Sequence, residues 1–191
     1  MYSFYAMLGR MKYINRWSLM RNSRTENISE HSQEVALLCH ALALIGNRRL
    51  GRHYNPERAA LLGLFHDATE ILTGDMPTPV KYNDEHIRAA YRHLEDQAAQ
   101  QLLSKLPEDL REDFRPLLCP EEAEEPLWKL VKAADKLSAL IKCLEEAKAG
   151  NREFMKAETA TRDKLKEISL PEAEIFMKEF LEPYSRSLDE M

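Results

Sequence analysis

The chain is poor in residues that staple, break or anchor a protein. Its 191 residues hold only 3 Cys, 6 Gly and 9 Pro. Cys39, Cys119 and Cys143 lie far apart, are odd in number and form no C-x-x-C pair, so neither a disulfide framework nor a thiolate zinc site is indicated. They read as reduced thiols of a cytoplasmic protein. No apolar run approaches the roughly 18 residues of a membrane span. The N-terminal MYSFYAMLGRMKYINRW is interrupted by Arg10 and Lys12 and has no small-residue cleavage site, so no secretory signal is expected. Excess positive charge is missing too. A net charge of -5 argues against a protein whose main task is gripping a nucleic acid polymer.

What is present favours helix. With few breakers, and with Leu, Ala, Glu and Lys common, the sequence predicts an all-α fold. A 44% apolar content over 191 residues is enough for one continuous core, and the chain shows no repeat and no linker, so residues 1–191 are expected to form a single domain.

Phe4, Met7, Leu8 and Met11 recur at helical spacing and predict a first helix to about Tyr13. Residues 15–29 then lose all period and read as a polar surface loop. Ser29 is the expected cap of an apolar helix from Glu30 to about Ile45, with Val35, Leu38 and Leu42 inward. Asn55 and Pro56 open a helix predicted to run unbroken to Thr73 and stop at Gly74. Residues 74–84 carry Pro77 and Pro79 and read as a loop, followed by a helix over 84–105. Residues 107–126 hold four prolines and read as short turns. Pro126 begins a long helix ending at Gly150, Asn151 caps another to Ile168, and Pro171 starts a last short one.

The chemistry is concentrated around the doublet His66-Asp67. On a helix these side chains project about 100° apart and meet one ion from two directions. Leu61, Leu62, Leu64, Phe65 and Ile71 surround them with bulk that should draw the pair inward, where an unpartnered polar group is costly. His31 shares a face with Val35 and Leu38, and Asp135 lies on the stripe of Val131 and Ala139. Three helices thus aim imidazole or carboxylate at the interior. A divalent cation is the simplest way to satisfy them, with a metal-free His/Asp hydrogen-bond network as the alternative.

These residues resemble a known family. The order His31, His66-Asp67, Asp135 matches the H…HD…D signature of the HD-domain phosphohydrolases, a superfamily of helical bundles. The segments INRWSLMRNSRTENISEHS, FHDATEILTGDMPTPVKY and KAADKLSALIKCLEEAKAGN, and the final SLDE, resemble the bacterial 5′-deoxynucleotidases in order along nearly the whole chain. The resemblance implies one divalent metal on His31, His66, Asp67 and Asp135, with Asp67 and Glu70 in the catalytic machinery. It further implies substrate contacts by Arg16, Trp17 and Asp75, deoxyribonucleoside 5′-monophosphates as substrates, and a homodimer. Thr78 is placed to line the same pocket.

The residue types suit these roles. Two nitrogen and two oxygen ligands leave open positions, as a catalytic ion requires, and Mg, Mn, Fe, Co and Zn all accept such a set. Glu70 is i+4 from His66 and i+3 from Asp67, one helical turn beyond the ion, where it would either orient the attacking water or protonate the departing 5′-oxygen. Arg16 offers a fork of donors for phosphate, and Trp17 a flat face against a sugar or base. Other phosphohydrolase substrates, such as a triphosphate, a cyclic nucleotide or a guanosine polyphosphate, call for more basic residues than Arg16, Arg21, Arg24 and Lys81 provide. A non-catalytic nucleotide sensor should have lost ligands that are all present here, and a helical adaptor would not explain inward-facing acids.

Overall fold

The computed structural model describes residues 1–81 and 84–191. Among them no strand forms; a lone antiparallel bridge pairs Asn15 with Asn27. The helices are α1 Phe4–Leu8, α2 Ile28–Arg49, α3 Pro56–Phe65, α4 Glu70–Thr73, α5 Thr78–Lys81, α6 Glu85–Leu103, α7 Arg111–Leu118, α8 Glu125–Lys148, α9 Met155–Ile168 and α10 Pro171–Phe180. The all-α expectation holds.

The centre of the bundle is α2, which packs against α3, α8 and α10, while α9 lies along α8. Val35, Leu42, Leu62, Leu130, Leu137 and Leu140 are fully buried between these helices. Each such side chain contributes about 1.5–3 kcal/mol by leaving water. The α2–α3 approach depends on Gly63, where a Cβ would stand 2.9 Å from Cys39 Sγ and 3.1 Å from the Ala36 Cα.

Several local expectations need correction. α2 starts at Ile28, and its cap is Asn27, not Ser29: the Asn27 side chain accepts from the Ser29 and Glu30 N–H groups at 3.0 Å while Glu30 reaches back to the Asn27 N–H. The first helix stops at Leu8 and resumes as a 3₁₀ turn over Met11–Tyr13. α7 is a regular helix despite Pro116, within a stretch read as turns. Leu61 and Leu64, expected inside, are 38% and 43% exposed, because nothing among the described residues covers that side of α3.

The correction that matters most is at the doublet. The helix from Pro56 ends at Phe65, and residues 66–69 form tight turns before α4 begins at Glu70. Ala68 N–H bonds to the Phe65 carbonyl and Glu70 N–H to that of Asp67, the i→i+3 pattern of a tightened helix. Ala68 is buried in a cluster with Phe4 and Leu102, and Ile71 in another with Met11 and Ile28. Two apolar anchors thus fix the turn, and the polar residues between them, His66, Asp67 and Glu70, face the space between α2 and α8.

Candidate metal centre and active site

His66 Nδ1 lies 2.8 Å from the Gly63 carbonyl oxygen. A carbonyl only accepts, so this nitrogen carries the proton and Nε2 presents its lone pair. His31, in the first turn of α2, is fully buried, with its ring centroid 5.1 Å from that of His66. Asp67 Oδ2 sits between the two imidazoles, 3.4 Å from His31 Nε2 and 3.1 Å from His66 Nε2. Asp135, midway along α8, places Oδ1 3.2 Å from His31 Nε2. Both Nε2 atoms are buried and make no hydrogen bond to the described residues.

Orphaned imidazole nitrogens beside carboxylate oxygens are what a divalent cation fits. The ligand atoms of His31, His66 and Asp67 all lie within 4.8 Å of one another. Asp135 stands at the rim of this trio, where Lys136 Nζ reaches its other oxygen at 2.9 Å and Arg16 Nη2 approaches Oδ1 at 3.7 Å. No other such cluster forms among the described residues, and His40, His53, His86 and His93 stay out of it.

The electrostatics agree with this set. Burial, reinforced by the adjacent Arg16, lowers the pKa of His31 and keeps it the neutral imidazole a metal requires. Burial opposes a charge on His66, but Asp67 outweighs it and raises its pKa: the carboxylate draws a positive charge to that spot. Burial likewise works against ionised Asp67, yet His66 and His31 hold it below the usual carboxylate range. Glu70 is pushed the other way. Burial, with the Asp67 and Asp75 carboxylates adding to it, raises its carboxyl to about 10. Glu70 Oε2 is buried with no hydrogen-bond partner among the described residues.

Around the trio runs a shell of residues that were not anticipated. Ser138 Oγ donates to Glu34 Oε2 at 2.5 Å and lies 2.9 Å from His31 Nδ1, which also has Arg16 Nη1 at 2.8 Å. The guanidinium only donates, so with Arg16 in place Nδ1 accepts from it; once Arg16 moves off, the Ser138 oxygen, its own proton committed to Glu34, can accept from Nδ1–H and leave Nε2 bare. Burial pushes Glu34 up to about 7, against the pull of that serine.

The loop before α2 delivers Arg16 and Trp17. Its ends are closed by Ile28 N–H to the Ile14 carbonyl and Arg16 N–H to the Glu26 carbonyl, both 2.9 Å. Trp17 has a left-handed backbone, with φ of 59°. Its indole donates to Glu26 Oε2 at 2.8 Å and its ring stands 5.2 Å from Phe154. Its backbone N–H faces the carboxylate of Asp75, which follows Gly74 at the end of α4. The far side of the loop is tied to α8, where the buried Glu146 accepts from Ser23 N–H at 2.9 Å and Lys142 Nζ at 2.5 Å, and Lys142 donates to the Arg24 carbonyl at 2.6 Å.

Arg16, Trp17, His31, His66, Asp67, Glu70, Asp75 and Asp135 therefore gather at one place. Thr78 is exposed at the start of α5, three residues beyond Asp75. Tyr82, the end of the TGDMPTPVKY motif, and Asn83, in the predicted 74–84 loop, lie outside the described residues. Glu34 and Ser138 escaped the sequence reading because they meet across helices, Glu26 because its partners lie across its own loop, and Glu146 because its i,i+4 pairing with Lys142 reads as an ordinary surface pair until the links to Ser23 and Arg24 are seen.

Comparison with known proteins decides the family. The model described as 5′-deoxynucleotidase YfbR-like matches residues 3–184. The chain belongs to the YfbR-like 5′-deoxynucleotidase family. Among curated members, it is 50% identical to the 5′-deoxynucleotidase of Photorhabdus laumondii over 98% of this chain and 95% of that one. It is 48% identical to the Vibrio vulnificus 5′-deoxynucleotidase over 98% and 97%. In fold, this family member is similar to an HD-domain phosphohydrolase of Listeria innocua, with a TM-score of 0.82, 22% identity and coverage of 95% and 88%. It is also similar to the HD phosphohydrolase of cyanophage S-2L, solved with dA and one catalytic Zn²⁺, with a TM-score of 0.66, 20% identity and coverage of 93% and 95%.

Proposed function

We propose that this chain is a metal-dependent phosphoric monoester hydrolase that converts deoxyribonucleoside 5′-monophosphates to deoxyribonucleosides and phosphate. One observation carries the reading: two buried, unpartnered imidazole Nε2 atoms converge with the Asp67 and Asp135 oxygens beside the guanidinium of Arg16. Membership of the 5′-deoxynucleotidase family supports it.

His31, His66, Asp67 and Asp135 hold one divalent ion. When bound, it supplies positive charge for the phosphoryl oxygens and acidifies water. Arg16 swings its fork from Asp135 and His31 to the phosphate, a shift of a few ångströms for a group already buried there. Glu70, kept protonated by burial and neighbouring carboxylates, hydrogen-bonds the 5′-oxygen and gives up its proton as that oxygen departs. Its alternative role is to orient the attacking water as an ionised base, which a cation offsetting the Asp67 charge would favour. Trp17 lies against the C2′ side of the sugar, where a ribose hydroxyl is crowded. Asp75 and, more peripherally, Thr78 face the 3′-hydroxyl.

A monophosphate suits the local charge better than a longer phosphate chain. Arg21 and Arg24 are exposed, and Arg24 is engaged with Glu30, leaving Arg16, Lys81 and Lys136, the last paired with Asp135, as the cations near the site. The chain acts as one unit over 1–191, as a cytoplasmic homodimer. Exposed Leu37, Leu44, Leu61 and Leu64, on the mutually packed α2 and α3, support the dimer, and three unpaired cysteines support a reducing compartment. The ion is any of Mg, Mn, Fe, Co or Zn.

The test is a panel of deoxy- and ribonucleoside 5′-monophosphates, triphosphates, cyclic nucleotides and guanosine polyphosphates assayed for phosphate and pyrophosphate with each metal. Phosphate released from deoxyribonucleoside monophosphates alone supports the reading. Turnover confined to longer phosphates, or none with any metal, overturns it.

A further inference from the structure

Arg16 and Trp17 are neighbours in sequence, yet on the proposed reading they address different parts of the substrate. One carboxylate touches both. Glu26 Oε2 accepts the Trp17 indole Nε1–H at 2.8 Å, and Glu26 Oε1 accepts from Arg16 Nη1 at 3.3 Å. The same residue's backbone carbonyl accepts the Arg16 N–H at 2.9 Å. The Glu26 side chain is only 13% exposed, so these bonds are largely shielded from competing water.

Trp17 needs such a hold. A bulky residue with φ of 59° occupies a sparsely populated backbone region, which persists only where surrounding contacts over-determine it. Those contacts are few: the Asp75 carboxylate facing the backbone N–H, the Met20 N–H and Asn22 amide on the backbone carbonyl, Phe154 and the Arg16 guanidinium against the ring and Glu26 on the indole nitrogen. The first three fix the main chain. Among the polar contacts, Glu26 sets the rotation of the indole plane.

We propose that Glu26 is the positioning residue for sugar selection, locking the rotation of the Trp17 indole and fixing it in register with the phosphate-binding Arg16. This rests on the reading that Trp17 faces C2′ of the sugar. Rejecting one extra hydroxyl by shape requires a wall that cannot yield. A hydroxyl added to a substrate is discriminated by only about a hundredfold at an apolar wall, so an indole free to rotate forfeits much of that. Because the same carboxylate holds Arg16, phosphate placement and sugar fit are set together.

The experiment compares kcat/KM for 2′-deoxyadenosine and adenosine 5′-monophosphates in wild type, Trp17→Ala, Trp17→Phe, Glu26→Ala and the Trp17→Phe/Glu26→Ala double variant. Thermal midpoint and Mn²⁺ titration on each variant check folding and the metal centre. Trp17→Phe keeps a ring but deletes the N–H donor. Both Trp17→Phe and Glu26→Ala are expected to lower the deoxy/ribo ratio by about tenfold, the scale of one hydrogen bond to a charged acceptor. The double variant should lower it no further than the worse single one. Glu26→Ala alone should also raise KM, through Arg16. An unchanged ratio in Trp17→Ala sinks the underlying sugar-facing reading. A ratio lost in Trp17→Ala but kept in Trp17→Phe and Glu26→Ala, or losses that multiply in the double variant, overturns the role of Glu26 alone. If Glu26→Ala fails to fold, Trp17→Phe decides by the same ratio.

Discussion

Glu146 ties the loop that carries Arg16 and Trp17 to α8, and its removal has a calculable effect. The carboxylate is 1% exposed and takes hydrogen bonds from Lys142 Nζ at 2.5 Å, Ser23 N–H at 2.9 Å and Asn151 Nδ2 at 2.8 Å. Lys142, itself 5% exposed, keeps the Arg24 carbonyl and the face of the Phe154 ring at 5.8 Å, but no counter-charge, if Glu146 is lost. Glu146→Ala leaves a buried ammonium without its counter-charge, which costs about 3–5 kcal/mol. At roughly 2–4 °C per kcal/mol for a domain of this length, the thermal midpoint should fall by about 10 °C. The effect has a pH signature. Burial opposes the Glu146 charge, but its donors prevail and hold the carboxyl at about 2 against an ordinary 4.5. A lowered folded-state pKa stabilises fully above the unfolded value and is lost as pH falls, so the gap between wild type and Glu146→Ala should close from pH 4.5 towards 2. Urea denaturation followed by circular dichroism at pH 7 and at steps down to pH 3 measures both. The exposed Glu145→Ala is the control and should change stability by less than about 0.5 kcal/mol. A Glu146→Ala cost below about 1 kcal/mol at pH 7, or a gap that does not narrow in acid, refutes the reasoning.

Two further outcomes are expected. Gly63→Ala forces a Cβ to 2.9 Å from Cys39 Sγ and 3.1 Å from the Ala36 backbone, so α2 and α3 must part at a cost of about 1–3 kcal/mol, measurable as a lowered midpoint; a midpoint equal to wild type would show the helices less tightly apposed. Glu70→Gln should lower kcat by about 10²-fold or more while Mn²⁺ affinity stays within a few-fold of wild type; a parallel loss of metal would make Glu70 a ligand instead of an acid.

How much of this was legible in the sequence differs by scale. The helical class and most caps followed from local chemistry: Asn55 accepts from Arg58 N–H and Gly74 turns at φ of 75°, as expected. The convergence of His31 and Asp135 on the His66-Asp67 doublet was legible because both ride on strongly periodic apolar stripes. The break at residues 66–69 was not, since His, Asp, Ala and Thr carry no breaker, and the tightening comes from anchoring Ala68 and Ile71 in separate clusters. Leu61 and Leu64 misled for a related reason: periodicity marks apolar positions but not whether this chain supplies what covers them. The loop 15–27 looked merely polar. Its order arises from Glu26 and Glu146, whose partners lie across the bundle or across the loop.

The central claim is a single cation held by His31, His66, Asp67 and Asp135. The most direct measurement is titration of metal-free protein with Co²⁺, following the visible absorption of the ion, in wild type and in His66→Ala and Asp67→Ala. One equivalent per chain should bind to wild type and be lost or weakened at least about tenfold in both variants. No saturable equivalent in wild type, or the same spectrum and stoichiometry in Asp67→Ala, would contradict it.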